Sequence, residues 1–111
     1  MLEAHEPRVA AAIHVMEQHI DDTLSIGQIA QQIELSVRML EYLFQQTLNQ
    51  TPAAYYRRLR LQLARRMVVD TRLKLQEIAI RTGFNSLSSF SRIFRKYYQE
   101  SPVQCRRLAQ I

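Results

Sequence analysis

The sequence predicts an all-α fold of seven helices. Three observations carry this reading. Two Gly, three Pro and no Trp in 111 residues leave too few turn formers for a sheet protein. Stretches that alternate apolar and polar residues are scarce, whereas apolar residues recur every three or four positions, the spacing that places them on one face of a helix. A pattern of short helix, turn and longer helix also occurs twice. The length suits one domain, residues 1–111, and 47% hydrophobic residues are enough to bury its core.

Pro7 starts the first helix, where its missing N–H has no partner to lose, and Val9, Ile13, Met16 and Ile20 give that helix one apolar face. Asp21, Asp22 and Thr23 end it. Ser25 with Gln28 three residues on forms a capping box, which opens a short helix through Ile33 with Ile26, Ile29, Ala30 and Ile33 inward. Glu34 and Leu35 make a turn. Ser36 caps a third helix that turns Leu40, Leu43, Phe44 and Leu48 inward and Arg38, Glu41, Tyr42 and Gln45 outward.

Asn49, which tolerates the left-handed conformation, ends the third helix, and Thr51-Pro52 opens a linker helix over about 52–69. At about 1.5 Å per residue this helix spans about 27 Å, enough to hold two units apart at fixed distance and orientation. The pattern then restarts. Leu75, Ile78, Ala79 and Thr82 make a short helix, Gly83-Phe84 a turn, and Ser86 to Tyr98 a longer helix with Phe90, Ile93 and Phe94 inward. Ser101-Pro102 caps a last, basic helix.

Laid over each other, IGQIAQQIELSVRMLEYLFQQTLNQTP and LQEIAIRTGFNSLSSFSRIFRKYYQESP share their apolar skeleton, with one extra residue in the second copy between Phe84 and Phe90. Ala30 pairs with Ala79, Leu35 with Phe84, Leu40 with Phe90, Leu43 with Ile93, Phe44 with Phe94 and Pro52 with Pro102. A short helix, a tight turn and a longer helix with a polar outer face make the helix-turn-helix arrangement, in which a small Ala lets the second helix cross closely. The two copies cover about residues 25–48 and 75–98.

Charge is divided unevenly. Residues 1–50 carry two basic and seven acidic side chains, and residues 51–111 carry thirteen basic and three acidic, so the halves bear −5 and +10. An excess of that size attracts polyanions, of which nucleic acid is the commonest. A basic helical protein-interaction module without sequence-specific DNA binding is the alternative, and salt-dependent binding to one duplex but not to lipid vesicles separates the two.

Other classes find little support. His5, His14 and His19 all fall in the first helix region, and the last two are five apart rather than the four that would put two ligands on one helix face. No enzyme site, metal or cofactor is expected. Cys105, the only cysteine, reads as a small buried apolar residue in a reducing compartment. No run approaches the roughly 18 apolar residues of a membrane span and no signal region opens the chain, so a cytoplasmic protein is expected.

The second copy, IAIRTGFNSLSSFSRIFRKYYQESP, resembles the signature of the AraC/XylS family of bacterial transcriptional regulators: I-A-x-x-x-G-F-x-x-x-x-x-F-x-R-x-F-[KR]-[KR] and then a Ser/Thr-Pro pair. The resemblance covers roughly residues 8–107. Four positions depart from it. Asn49 and Gln99 stand where the family usually has Gly, Lys74 stands where Ser25 caps the first copy, and Cys105 occupies a commonly aromatic site. None of the four lies on the reading face.

The resemblance implies sequence-specific binding of double-stranded DNA, with two reading helices in successive major-groove segments about 34 Å apart. By match to the family's reading positions, Arg38, Glu41 and Tyr42 face bases from the first, and Leu87, Ser88, Ser91 and Arg92 from the second. Phosphate contacts are expected from the helix starts at Ser36 and Ser86 and from Arg57, Arg58, Arg95 and Lys96. Arg65 and Arg66 fit phosphate contact and plain solvation equally. The family also implies RNA polymerase as a partner and an effector ligand acting only through a separate N-terminal domain, so that the chain reads as an excised C-terminal domain or a stand-alone member.

Overall fold

The computed structural model describes residues 6–110, which form seven α-helices and no strand. They are α1 (Pro7–Gln18), α2 (Ile26–Gln32), α3 (Val37–Leu48), α4 (Pro52–Asp70), α5 (Leu75–Arg81), α6 (Leu87–Tyr98) and α7 (Pro102–Ala109). His5 lies outside the described residues. The chain divides into two compact units between Leu59 and Arg60, and α4 contributes to both.

The helix ends are set by local chemistry. Ser25 and Gln28 cap each other's backbone N–H groups at the start of α2, and Ser101 with Gln104 does the same for α7. Ser36 accepts from the Met39 N–H at 3.1 Å and Ser86 from the Ser89 N–H at 3.0 Å. Lys74 provides no side-chain cap for α5. Asn49 and Gln99 both adopt the left-handed conformation, with φ of 56° and 60°. Side-chain bonds offset the cost: the Gln45 amide donates to Asn49 Oδ1 at 2.6 Å, and the Gln99 amide donates to the Lys96 carbonyl at 3.1 Å.

In the first unit, Val9, Ala12, Ile13 and Met16 of α1 meet Ile29 and Ala30 of α2, Leu40, Leu43 and Phe44 of α3, and Tyr56 of α4. In the second, Leu61, Ala64 and Val68 of α4 meet Ile78 and Ala79 of α5, Phe84, Phe90 and Phe94, and Cys105 of α7. Ala30 and Ala79 are buried at the same place in their units. The backbone repeats there too, since the Leu35 N–H donates to the Ala30 carbonyl and the Phe84 N–H to the Ala79 carbonyl, each at 2.9 Å.

One boundary differs from expectation by more than a residue. α1 stops at Gln18, so Ile20 lies beyond the helix and only packs half-buried. One tertiary and two local bonds account for it: the carbonyl of His19 accepts from the Tyr56 hydroxyl, the Thr23 hydroxyl donates to the Ile20 carbonyl, and His19 Nδ1 meets Asp22 Oδ2 at 3.0 Å. These bonds fold residues 19–23 into a loop before another helical turn can form.

Candidate nucleic-acid interface

Each longer helix of a unit has one buried and one exposed side. On α3, Leu40, Leu43 and Phe44 are buried while Arg38, Glu41 and Tyr42 are exposed, Tyr42 at 58%. On α6, Phe90 and Phe94 are fully buried while Leu87, Ser88 and Arg92 are exposed and Ser91 is half-buried. The seven residues expected to face bases therefore share two helix faces, three on α3 and four on α6. Leu87 keeps 39% of its surface at the first position of α6.

The helix starts are shaped for anions. Four N–H groups at the beginning of a helix lack an intrahelical partner, and the serine cap satisfies one of them. At α3 and α6 the serine oxygen takes the third amide, which leaves those of Val37, Arg38, Leu87 and Ser88 for water or a phosphate oxygen at the positive end of the helix dipole.

The basic side chains fall into two groups. Arg57, Arg92, Arg95 and Lys96 are exposed, and none of them is in an ion pair among the described residues. Arg58 lies with its guanidinium carbon 5.3 Å from the centre of the Tyr55 ring, which orients it while leaving its N–H edges available. Others serve the fold. Arg106 donates to the carbonyls of Val68, Leu73 and Thr71 at 3.0, 2.7 and 3.2 Å, and Arg60 donates to the Gly83 carbonyl at 2.8 Å. Arg81 pairs with Glu77 at 2.9 Å, and Arg8 with Glu6 at 3.1 Å.

Arg65 packs 5.5 Å above the ring of Tyr98 and lines an open cleft with Gln62, Arg66 and Tyr97. Burial pushes the Tyr98 phenol above its ordinary range, Tyr97 adds to the shift, and Arg65 opposes it. Cys105 is buried as expected, and burial raises its thiol pKa, with a hydrogen bond to Glu100 acting in the same direction.

Two features of the interface escape the sequence reading. Val37 is 39% exposed at the first position of α3, the place Leu87 holds on α6, and the internal repeat is the signal that would have found it. The structural use of Arg60 and Arg106 leaves no such mark, because their partners are backbone carbonyls far along the chain. Among the described residues no group of three His, Cys, Asp or Glu is placed to hold a metal ion, and no helix is long and apolar enough to cross a membrane.

Comparison with known proteins agrees with this geometry. A family model described as a helix-turn-helix domain matches residues 11–108. The HTH-type transcriptional regulator ArgR of Pseudomonas aeruginosa is 35% identical over 105 residues, 95% of this chain and 32% of its own length. The chain spans about a third of the length of the curated relatives it matches. A transcriptional regulator structure from Chromobacterium violaceum, described as having an AraC-type DNA-binding domain, superposes with a TM-score of 0.90 at 33% identity, covering 96% of this chain and 95% of that one. The C-terminal domain of AraT, a response regulator from Geobacillus stearothermophilus, gives 0.88 at 27% identity, covering 93% and 86%. On the family model and the C. violaceum structure together, the chain belongs to the AraC-type family of helix-turn-helix DNA-binding domains of transcriptional regulators.

Proposed function

We propose that this chain regulates transcription by binding double-stranded DNA in a sequence-specific way, with α3 and α6 entering successive major-groove segments. The observation that carries the reading is the repeated two-sided helix: a serine-capped start, a buried apolar side and an exposed polar side, once in each unit.

The side chains suit the task unequally. Arg38 and Arg92 can each pair bidentately with guanine, Glu41 can accept from the cytosine amino group, Ser88 and Ser91 serve as donor or acceptor, and Leu87 suits a thymine methyl. Tyr42 offers a ring and a hydroxyl. Ser36, Ser86, Arg57, Arg58, Arg95 and Lys96 fix the register by meeting phosphates. Because α6 carries Arg92, Arg95 and Lys96 where α3 carries Tyr42, Gln45 and Gln46, the second unit supplies most of the affinity and the first adds selectivity.

The finer parts of the reading concern the setting. The domain acts in the cytoplasm, touches RNA polymerase when bound beside a promoter, and takes effector control from a separate domain. Support for the last point is that the curated relatives are about three times as long as this chain. Selecting random duplexes for binding and sequencing the survivors tests the core of the proposal. Enrichment of one motif with two separated blocks of preferred bases is expected, and survivors without a motif would overturn it.

A further inference from the structure

The chain leaves the turn of the second unit at Phe84 on its way to α6, and a third helix holds that turn. Arg60 of α4 donates from Nη1 to the Gly83 carbonyl at 2.8 Å and lies 3.5 Å from the Thr82 carbonyl. Its guanidinium carbon sits 4.7 Å from the centre of the Phe84 ring. One planar group thus grips the C-terminal end of α5, where the helix dipole favours a cation, and the face of the residue that starts the path to α6. The restraint reaches α6 directly, because the Phe84 and Phe90 rings are tilted against each other at 5.3 Å between centroids. Phe90 is flanked along α6 by Ser88, Ser91 and Arg92.

The first unit is built differently. Val9, Ala12 and Met16 are buried on α1 at the spacing of Leu61, Ala64 and Val68 on α4, a register that matches Arg8 with Arg60. Arg8 is engaged by Glu6, through Nε at 3.1 Å and Nη2 at 3.3 Å, rather than by the turn at Glu34.

We propose that Arg60 is a positioning residue for base reading by the second unit: it sets the angle at which α6 presents Ser88, Ser91 and Arg92, although it lies outside the reading face. The inference rests on the proposal that α6 reads bases. It makes the second unit the preorganised reader of the pair and gives the first unit more freedom to adapt.

The test uses the whole chain and the duplex selected from the random pool, with each base pair changed in turn. Arg92→Ala marks one base pair read by α6 and Tyr42→Ala one read by α3, and each identifies the block of the selected motif that its helix reads. Arg60→Ala, assayed well below its melting temperature, should flatten the preference at the α6 base pairs by about tenfold, the scale of one lost charge-assisted hydrogen bond. Preference at the α3 base pairs should be unchanged. Arg60→Lys, which keeps the charge and can still donate to a turn carbonyl but loses the planar stack, should fall between, and it decides the question if Arg60→Ala does not fold. A loss confined to stability would lower occupancy of every sequence alike. Equal flattening at both sets of base pairs, or none in a folded variant, would overturn the positioning role. A wild-type protein that shows no base preference at all would instead overturn the reading of bases by α6, and this inference with it.

Discussion

Tyr56 and Arg106 hold matching positions, each four residues after the proline that opens its helix, and each ties down the loop leading into the first short helix of its own unit. The Tyr56 hydroxyl donates to the His19 carbonyl and accepts from the Leu24 N–H at 3.2 Å. Arg106 donates to the carbonyls of Val68, Thr71 and Leu73. A phenol offers one donor and an acceptor, whereas a guanidinium offers five donors and no acceptor, so the same place is served by different chemistry.

Both ties should matter for stability. Tyr56→Phe leaves a part-buried carbonyl and N–H without this partner and should cost about 1–3 kcal/mol. Arg106→Ala removes three carbonyl contacts at once and should cost at least as much, about 2–3 kcal/mol. Urea unfolding monitored by circular dichroism reads both. An Arg106→Ala variant within about 0.5 kcal/mol of the parent, as for an ordinary surface change, would contradict this account of the loop.

Both turns place a left-handed residue at the same position. Glu34 sits at φ 58° where the second copy has Gly83 at φ 81°. A left-handed residue with a Cβ is strained by about 1–2 kcal/mol, part of which glycine returns through its freer unfolded chain. Glu34→Gly should therefore stabilise by up to about 1 kcal/mol, and Gly83→Ala should destabilise by about 1–2 kcal/mol. Thermal melts of the two variants should move in opposite directions. A shift of both in the same direction would show that the turns are not equivalent.

Affinity has its own signature. If Arg57, Arg58, Arg95 and Lys96 meet phosphates, replacing any one with Ala should weaken binding to all duplexes alike and reduce the slope of log affinity against log salt by about 1. Arg81→Ala, which breaks only an exposed pair with Glu77, is the control and should leave the slope unchanged. An unchanged slope for all four would remove the phosphate surface.

Much of this was legible because it is local. Ser25 with Gln28, Ser101 with Pro102, and Asn49 act within one turn of helix, so the order of the seven helices and their caps can be read along the chain. The outward placement of Arg38, Tyr42 and Arg92 follows from their spacing against Leu40, Phe44 and Phe90. The end of α1 does not, because it depends on Tyr56, 37 residues away from His19. Nor does the division of labour among arginines. A charge count treats Arg60, Arg92 and Arg106 alike, and only tertiary contacts show that two of them hold backbone carbonyls while the third is exposed. The strain at Glu34 was hidden for another reason: its counterpart Gly83 takes the left-handed conformation freely, but nothing in the first copy marks Glu34 as left-handed.

The proposed reading of bases by exposed side chains on α6 rests most heavily on Arg92. It follows the buried Phe90 by two residues and precedes the buried Phe94 by two, so its side chain points away from the core. A guanidinium paired with O6 and N7 of one guanine is worth about 1–3 kcal/mol of discrimination. The decisive measurement compares the parent and Arg92→Ala on the selected duplex with each base pair changed in turn. The variant should lose its preference at one base pair, by about 1–3 kcal/mol, and keep the others. A uniform loss across all positions, the mark of a phosphate contact, or no loss at all, would contradict it.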